Sequence, residues 1–135
     1  MLQTEKYQMK EVCEEVGITY ETLKYYCNEG LVPNHERDSN NYRIFDENDI
    51  GWIKGLTKLR DCGMSIKDMK RYMELCYEGE GSIEERKEML EDTRKELEQE
   101  IARVNESLNF IDTKQAYYDD VLAGEIELTS NLIKE

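Results

Sequence analysis

The hydrophobic positions recur at spacings of three and four along most of the chain, the signature of amphipathic helices. Met9, Val12, Cys13 and Val16 predict a short helix over 8–16, which Gly17 ends in a left-handed turn. Thr19 is placed to cap a second helix over 20–28, with Leu23 and Tyr26 facing inward, and Gly30 closes it. The two helices and their Gly17-Ile18-Thr19 turn form a helix-turn-helix pattern. Residues 31–45 break the helical period. They hold the only proline and the turn cluster Asp38-Ser39-Asn40-Asn41, followed by Tyr42, Ile44 and Phe45, which suit a strand. This stretch predicts a small hairpin, with Asn41 at a positive-φ position.

Helical spacing then resumes. Asp46 and Asp49 form a capping pattern for a helix over 47–61, with Ile50, Ile53, Leu56 and Leu59 or Lys58 along one side and Trp52 beside them. Gly63 stops it. Ser65 and Asp68 repeat the pattern for a helix over 66–77, whose inward stripe is expected at Ile66, Met69, Met73 and Cys76. After a break at 78–81, Ser82 and Glu85 make a further capping box.

The next helix meets no glycine or proline until Gly124. Within it Ile83, Leu90, Leu97, Val104 and Ile111 recur every seven residues and Tyr118 continues the series. Ile101 and Leu108 supply a second seam position, where Lys87 and Arg94 stand upstream. A strict seven-residue repeat keeps one seam turned toward a partner helix. From 83 to 118 the helix runs roughly 54 Å at ~1.5 Å per residue, too long to cover its stripe with a domain of this size. A homodimer through a two-stranded coiled coil is expected.

Three domains follow from this pattern: a reader over 1–77, a dimerisation helix over 82–120 and a short tail over 121–135. In the tail, Ile126, Leu128, Leu132 and Ile133 are available to pack on the partner.

Charge narrows the function. The 135 residues carry a formal charge of −13. Residues 1–76 hold 11 Lys and Arg against 14 Asp and Glu, and residues 77–135 hold 7 against 17. An acidic chain grips phosphate backbones poorly, so DNA binding must rest on a few well-placed cations in the N-terminal half. No apolar run is long enough to span a membrane. The N-terminus lacks the apolar centre of a secretory signal, so a cytoplasmic location is expected. The four cysteines, at 13, 27, 62 and 76, include no Cys-x-x-Cys, and there is one histidine, His35. That spacing excludes a zinc finger, and no metal or cofactor is expected. One histidine and no glycine-rich loop argue against an enzyme.

The run Met9-Lys10-Glu11-Val12, Gly17-Ile18-Thr19, Thr22-Leu23-Lys24-Tyr25-Tyr26 and Gly30-Leu31-Val32 resembles the start of MerR-family transcriptional regulators. The likeness continues through Asn41-Tyr42-Arg43-Ile44-Phe45, Asp49-Ile50 and the segment from Leu59 to Ile66. The chain departs from the family pattern at Lys24, where arginine is usual, and at Cys27, Glu36 and Asn41. Lysine keeps the charge there but loses the bidentate fork.

The resemblance implies an all-α fold with a small β-hairpin wing, a winged helix-turn-helix followed by a long dimerisation coiled-coil helix. It implies a sequence-specific regulator that binds a palindromic promoter as a dimer and distorts it, with RNA polymerase an indirect partner there. Tyr20, Glu21 and Thr22 then face the major groove. Lys24 and Tyr25 meet phosphates, as do Arg37, Tyr42 and Arg43 of the wing. A branch of the family that responds to electrophiles is similar over the whole length. Its reactive cysteine falls at Lys58 here, which leaves Cys62, one turn later, and Cys76 as candidate thiol sensors, with packing the simpler role for both. Cys13 is expected in the core and Cys27 at an exposed helix end. The competing reading is a protein-interaction adaptor that uses the same helices without binding DNA, which the acidic charge favours.

Overall fold

The computed structural model describes residues 5–133. The ends of the expected first domain and tail, residues 1–4 and 134–135, lie outside it. The order of elements is β1 (Tyr7–Gln8), α1 (Met9–Val16), α2 (Tyr20–Asn28), β2 (Glu36–Arg37), β3 (Arg43–Phe45), α3 (Glu47–Asp61) and α4 (Ile66–Glu78). A 3₁₀ turn (Gly79–Ser82) then leads into α5 (Ile83–Leu122), which is 40 residues long.

The chain divides into two compact units, one up to Thr93 and one from Arg94. In the first, the caps anticipated from sequence are in place. Gly17 takes φ 83° and its N–H donates to Cys13 O at 2.8 Å, ending α1. Two residues later Thr19 Oγ1 accepts from Thr22 N at 3.1 Å, so α2 starts one tight turn after α1 stops. Asp46 and Asp49 accept each other's backbone N–H at 2.9 and 3.0 Å, the reciprocal box that starts α3. Ser65 Oγ accepts from Asp68 N at 3.1 Å and starts α4.

These helices enclose one core. Val12, Leu23, Leu31, Phe45, Ile53, Leu56 and Met69 are each buried to within 1% of complete, and burying a side chain of this kind is worth about 1.5–3 kcal/mol. Trp52 is half-buried beside them and its indole N–H donates to Leu31 O at 2.6 Å.

The structure departs from the sequence reading at four places. The hairpin is part of a three-stranded antiparallel sheet, because Tyr7 and Gln8 pair with Phe45 and Ile44 along the second edge of β3. Tyr7 also donates to Glu47 of α3, which holds its phenol above the usual tyrosine range, and so fastens β1 to the start of that helix. The inward stripe of α4 runs through Met69 and Leu75, while Met73 and Cys76 are only half-buried. Leu75 is covered because the 3₁₀ turn folds back over the last turn of α4. Ser82 is consequently no cap for α5. It is buried, and its hydroxyl donates to the carbonyls of Leu75 and of Gly79, the latter at 2.8 Å. Arg86 closes this joint, donating to Ser82 Oγ at 2.9 Å and to Gly79 O at 2.7 Å. Glu85, the expected box partner, instead pairs with Arg71 of α4 at 3.2 Å. Finally, Cys27 is buried, where an exposed helix end was expected, because it belongs to a core cluster that includes Phe45 and Ile53.

None of the described residues from Arg94 onward is buried. The chain after α5 folds back on the helix: Thr129 Oγ1 lies 3.2 Å from Tyr117 Oη and Thr129 N donates to it at 2.7 Å, and these two contacts lower the phenol's pKa.

Candidate nucleic-acid interface

The wing is built from a tight turn. Asp38 Oδ1 accepts from Asn40 N and Tyr42 N at 2.9 and 3.0 Å, and Asn41 takes φ 66°, which asparagine tolerates better than most residues. This register sets Arg37 of β2 directly opposite Arg43 of β3. Two like charges facing across a ladder cost stability, so the pairing is one that an anion would relieve. Arg37 donates to Asn41 O at 2.8 Å, and Arg43 reaches α2 and donates to Asn28 Oδ1 at 2.7 Å. Arg43 Nε is buried with no partner.

A cleft of about 350 Å³ lies in front of the wing. It brings together four of the residues singled out from sequence, Tyr20, Arg37, Tyr42 and Arg43, and adds Gln8 of β1 and Lys10 from the start of α1. Sequence reasoning passed over Lys10, because nothing local shows that β1 pairing carries the first turn of α1 to the wing. The remaining predicted contacts do not line this cleft. Glu21, Lys24 and Tyr25 project from α2 as exposed side chains. Thr22 is half-buried, and its hydroxyl lies 2.9 Å from Thr19 Oγ1, so it is already used in the cap.

Some cations of the unit are paired, while Lys58 and Lys67, like those of this face, have no carboxylate within ion-pair distance among the described residues. Lys54, Lys70 and Arg71 form ion pairs with Glu15, Glu29 and Glu85. Among the described residues no carboxylate lies within ion-pair distance of Lys10, Lys24, Arg37 or Arg43. The cations that face the cleft and the exposed side of α2 are therefore uncompensated.

The thiols differ in setting. Burial pushes the Cys27 and Cys13 thiols up, against any role as reactive thiolates. Cys62 is exposed at the C-cap of α3, and Cys76 is half-buried near the end of α4. The expected seam residues Ile83, Leu90, Leu97, Ile101, Val104, Leu108 and Ile111 all lie on α5 with between 36% and 60% of their surface exposed.

Comparison with known proteins agrees with this architecture. Residues 7–76 match the profile of the MerR HTH family regulatory protein. An HTH-type transcriptional regulator of Haemophilus influenzae is 36% identical over 117 residues, which cover 87% of each chain. The HTH-type transcriptional regulator AdhR of Bacillus subtilis is 38% identical over 87 residues, 64% of this chain and 62% of that one. Among solved structures, HiNmlR, a MerR family regulator lacking the sensor domain and crystallised on promoter DNA, superposes with a TM-score of 0.73 at 35% identity. The match covers 88% of this chain and 90% of that one. With its helix-turn-helix, its three-stranded wing and its long C-terminal helix, this chain belongs to the MerR family of transcriptional regulators.

Proposed function

We propose that the chain binds a palindromic promoter as a homodimer, with α2 in the major groove and the wing on the phosphate backbone, and that it acts on RNA polymerase by distorting the DNA between them. The observation that carries this reading is the wing: Arg37 and Arg43 face each other without a carboxylate partner, beside Lys10, Tyr20 and Tyr42. A phosphate placed there would relieve the cross-strand repulsion. Tyr20 and Glu21 would meet base edges, and Lys24 and Tyr25 the backbone. Thr22 would contribute through the shape of the first turn, since its hydroxyl is committed to the cap. The exposed apolar seam of α5 is the surface on which a second copy would pair, as the relation of one half-site to the other requires.

The test is a fluorescence titration of the chain with palindromic promoter DNA at two salt concentrations. A regulator binds specifically and weakens steeply as salt rises. Arg43→Ala should weaken binding to every sequence alike and reduce the salt slope by about 1. No affinity at low salt would favour the adaptor instead. A loss confined to one base position, with the slope unchanged, would mean that Arg43 reads a base.

A further inference from the structure

A second cleft, of about 210 Å³, shares no residue with the one in front of the wing. Its walls come from three segments: Pro33 and Asn34 after α2, Asn48, Asp49 and Trp52 on the first turns of α3, and Met73, Cys76 and Tyr77 on the last turns of α4. The surface is mainly apolar and aromatic. The indole of Trp52 is held in place by its hydrogen bond to Leu31 O at 2.6 Å, so its ring is a fixed wall. Tyr77 stands exposed at the rim.

The polar lining has one sign. Asn34, Asn48 and Asp49 are among its lining residues, and no Lys, Arg or His lines it. Asp49 is only 7% exposed. Its Oδ2 accepts from Asp46 N at 3.0 Å, while no donor among the described residues reaches its Oδ1. Burial raises the Asp49 pKa, while the hydrogen bond from Asp46 N and the nearby His35 act in the opposite direction. An apolar cleft with π faces and one buried, half-satisfied carboxylate is complementary to an organic cation, and it repels anions.

We propose that this cleft is a binding site for a small aryl- or alkylammonium compound, its ammonium group on Asp49 and its apolar body between Trp52, Met73 and Tyr77. Occupation would bridge the start of α3 to the last turn of α4. That turn leads directly into the joint that Arg86 holds through Gly79 O at 2.7 Å. The ligand thus bears on the link between the DNA-reading helices and α5, whether or not DNA is bound.

The chain offers its own reporters. Trp52 is the only tryptophan, so its emission reads the cleft directly. Cys76 lines the wall, and exposed Cys62 lies outside it as an internal reference. The full-length protein is titrated with phenethylammonium, the isosteric 2-phenylethanol and phenylacetate. The amine is expected to change Trp52 emission saturably, with the alcohol and the acid roughly tenfold or more weaker. It is also expected to slow alkylation of Cys76 by iodoacetamide, mapped by mass spectrometry, and to leave Cys62 unchanged. Asp49→Asn keeps an oxygen for the Asp46 N–H and should bring the amine and the alcohol to equal affinity. Should that variant fail to fold, the wild-type ligand series and the labelling ratio decide alone. The proposal is overturned if no saturable change occurs at millimolar amine, if the acid or alcohol binds as well, or if Cys62 is protected as much as Cys76.

Discussion

The residues up to Thr93 and those from Arg94 onward solve the burial problem in opposite ways. The first unit holds every buried side chain described, closed by caps, a three-stranded sheet and a fold-back turn. The second has nothing buried among its described residues, although its sequence is just as regular: Leu97, Ile101, Val104, Leu108 and Ile111 are all exposed. A stripe with a seven-residue period that stays open to water within its own chain fits the proposed pairing with another helix. The difference teaches that regular hydrophobic spacing measures the need for a partner surface and does not say which chain supplies it.

The sharpest way to break this contrast is to put charge in the seam. Replacing Leu97 and Val104 together by Asp places two carboxylates where the partner helix would exclude water. Sedimentation should then report a monomer. Affinity for a palindromic site should fall by about a hundredfold or more, because two linked half-site contacts become one. The thermal transition of the first unit should remain. A dimer unchanged by this double substitution would mean that the two copies, if paired, meet somewhere else.

The complementary cut is into the closed core. Phe45 is 1% exposed and sits where β3 meets the helices, in a stacked contact with His35 at 5.5 Å between ring centroids. Phe45→Ala should cost about 3–5 kcal/mol by denaturant unfolding. Leu108→Ala, made in the seam-charged monomer, should cost close to nothing, since Leu108 is already 52% exposed. Equal losses at the two positions would erase the distinction drawn between the units.

What was legible in the sequence, and what was not, follows the same division between local and distant causes. Thr19, Asp46 and Ser65 act on backbone groups three residues away, so their roles can be read from spacing alone. Asn41 in its turn is equally local. The misses depend on contacts remote in sequence. Tyr7 and Gln8 become a strand only because Phe45 and Ile44 arrive beside them. Cys27 is buried within a core cluster that includes residues far along the chain such as Phe45 and Ile53. Leu75 and Ser82 are buried by a fold-back through a Gly-rich segment that, in the sequence alone, is only a break. Of the residues proposed from sequence to face DNA, Tyr20, Arg37, Tyr42 and Arg43 line one cleft in the structure. Lys10 was invisible, because its place beside the wing is a consequence of β1 pairing.

The smallest expected effect sharpens the comparison most finely, because it touches only one hydrogen-bonded turn. Thr19 Oγ1 accepts the Thr22 N–H at 3.1 Å and also lies 2.9 Å from the Thr22 hydroxyl. Thr19→Ala removes the acceptor and leaves an N–H at the start of α2 to water, a loss of about 1 kcal/mol, whereas Thr19→Ser should keep most of the stability. The proposed dimer, with its seam on α5, should be unaffected by either change. Hydrogen exchange should quicken in the first turn of α2 and stay level elsewhere. That turn also carries Tyr20 and Glu21, so fraying it should weaken binding to the cognate site more than to unrelated DNA, while Arg43→Ala weakens both alike. If Thr19→Ala lowers cognate and unrelated affinity equally, base reading does not depend on an ordered first turn of α2, and the wing alone sets the affinity.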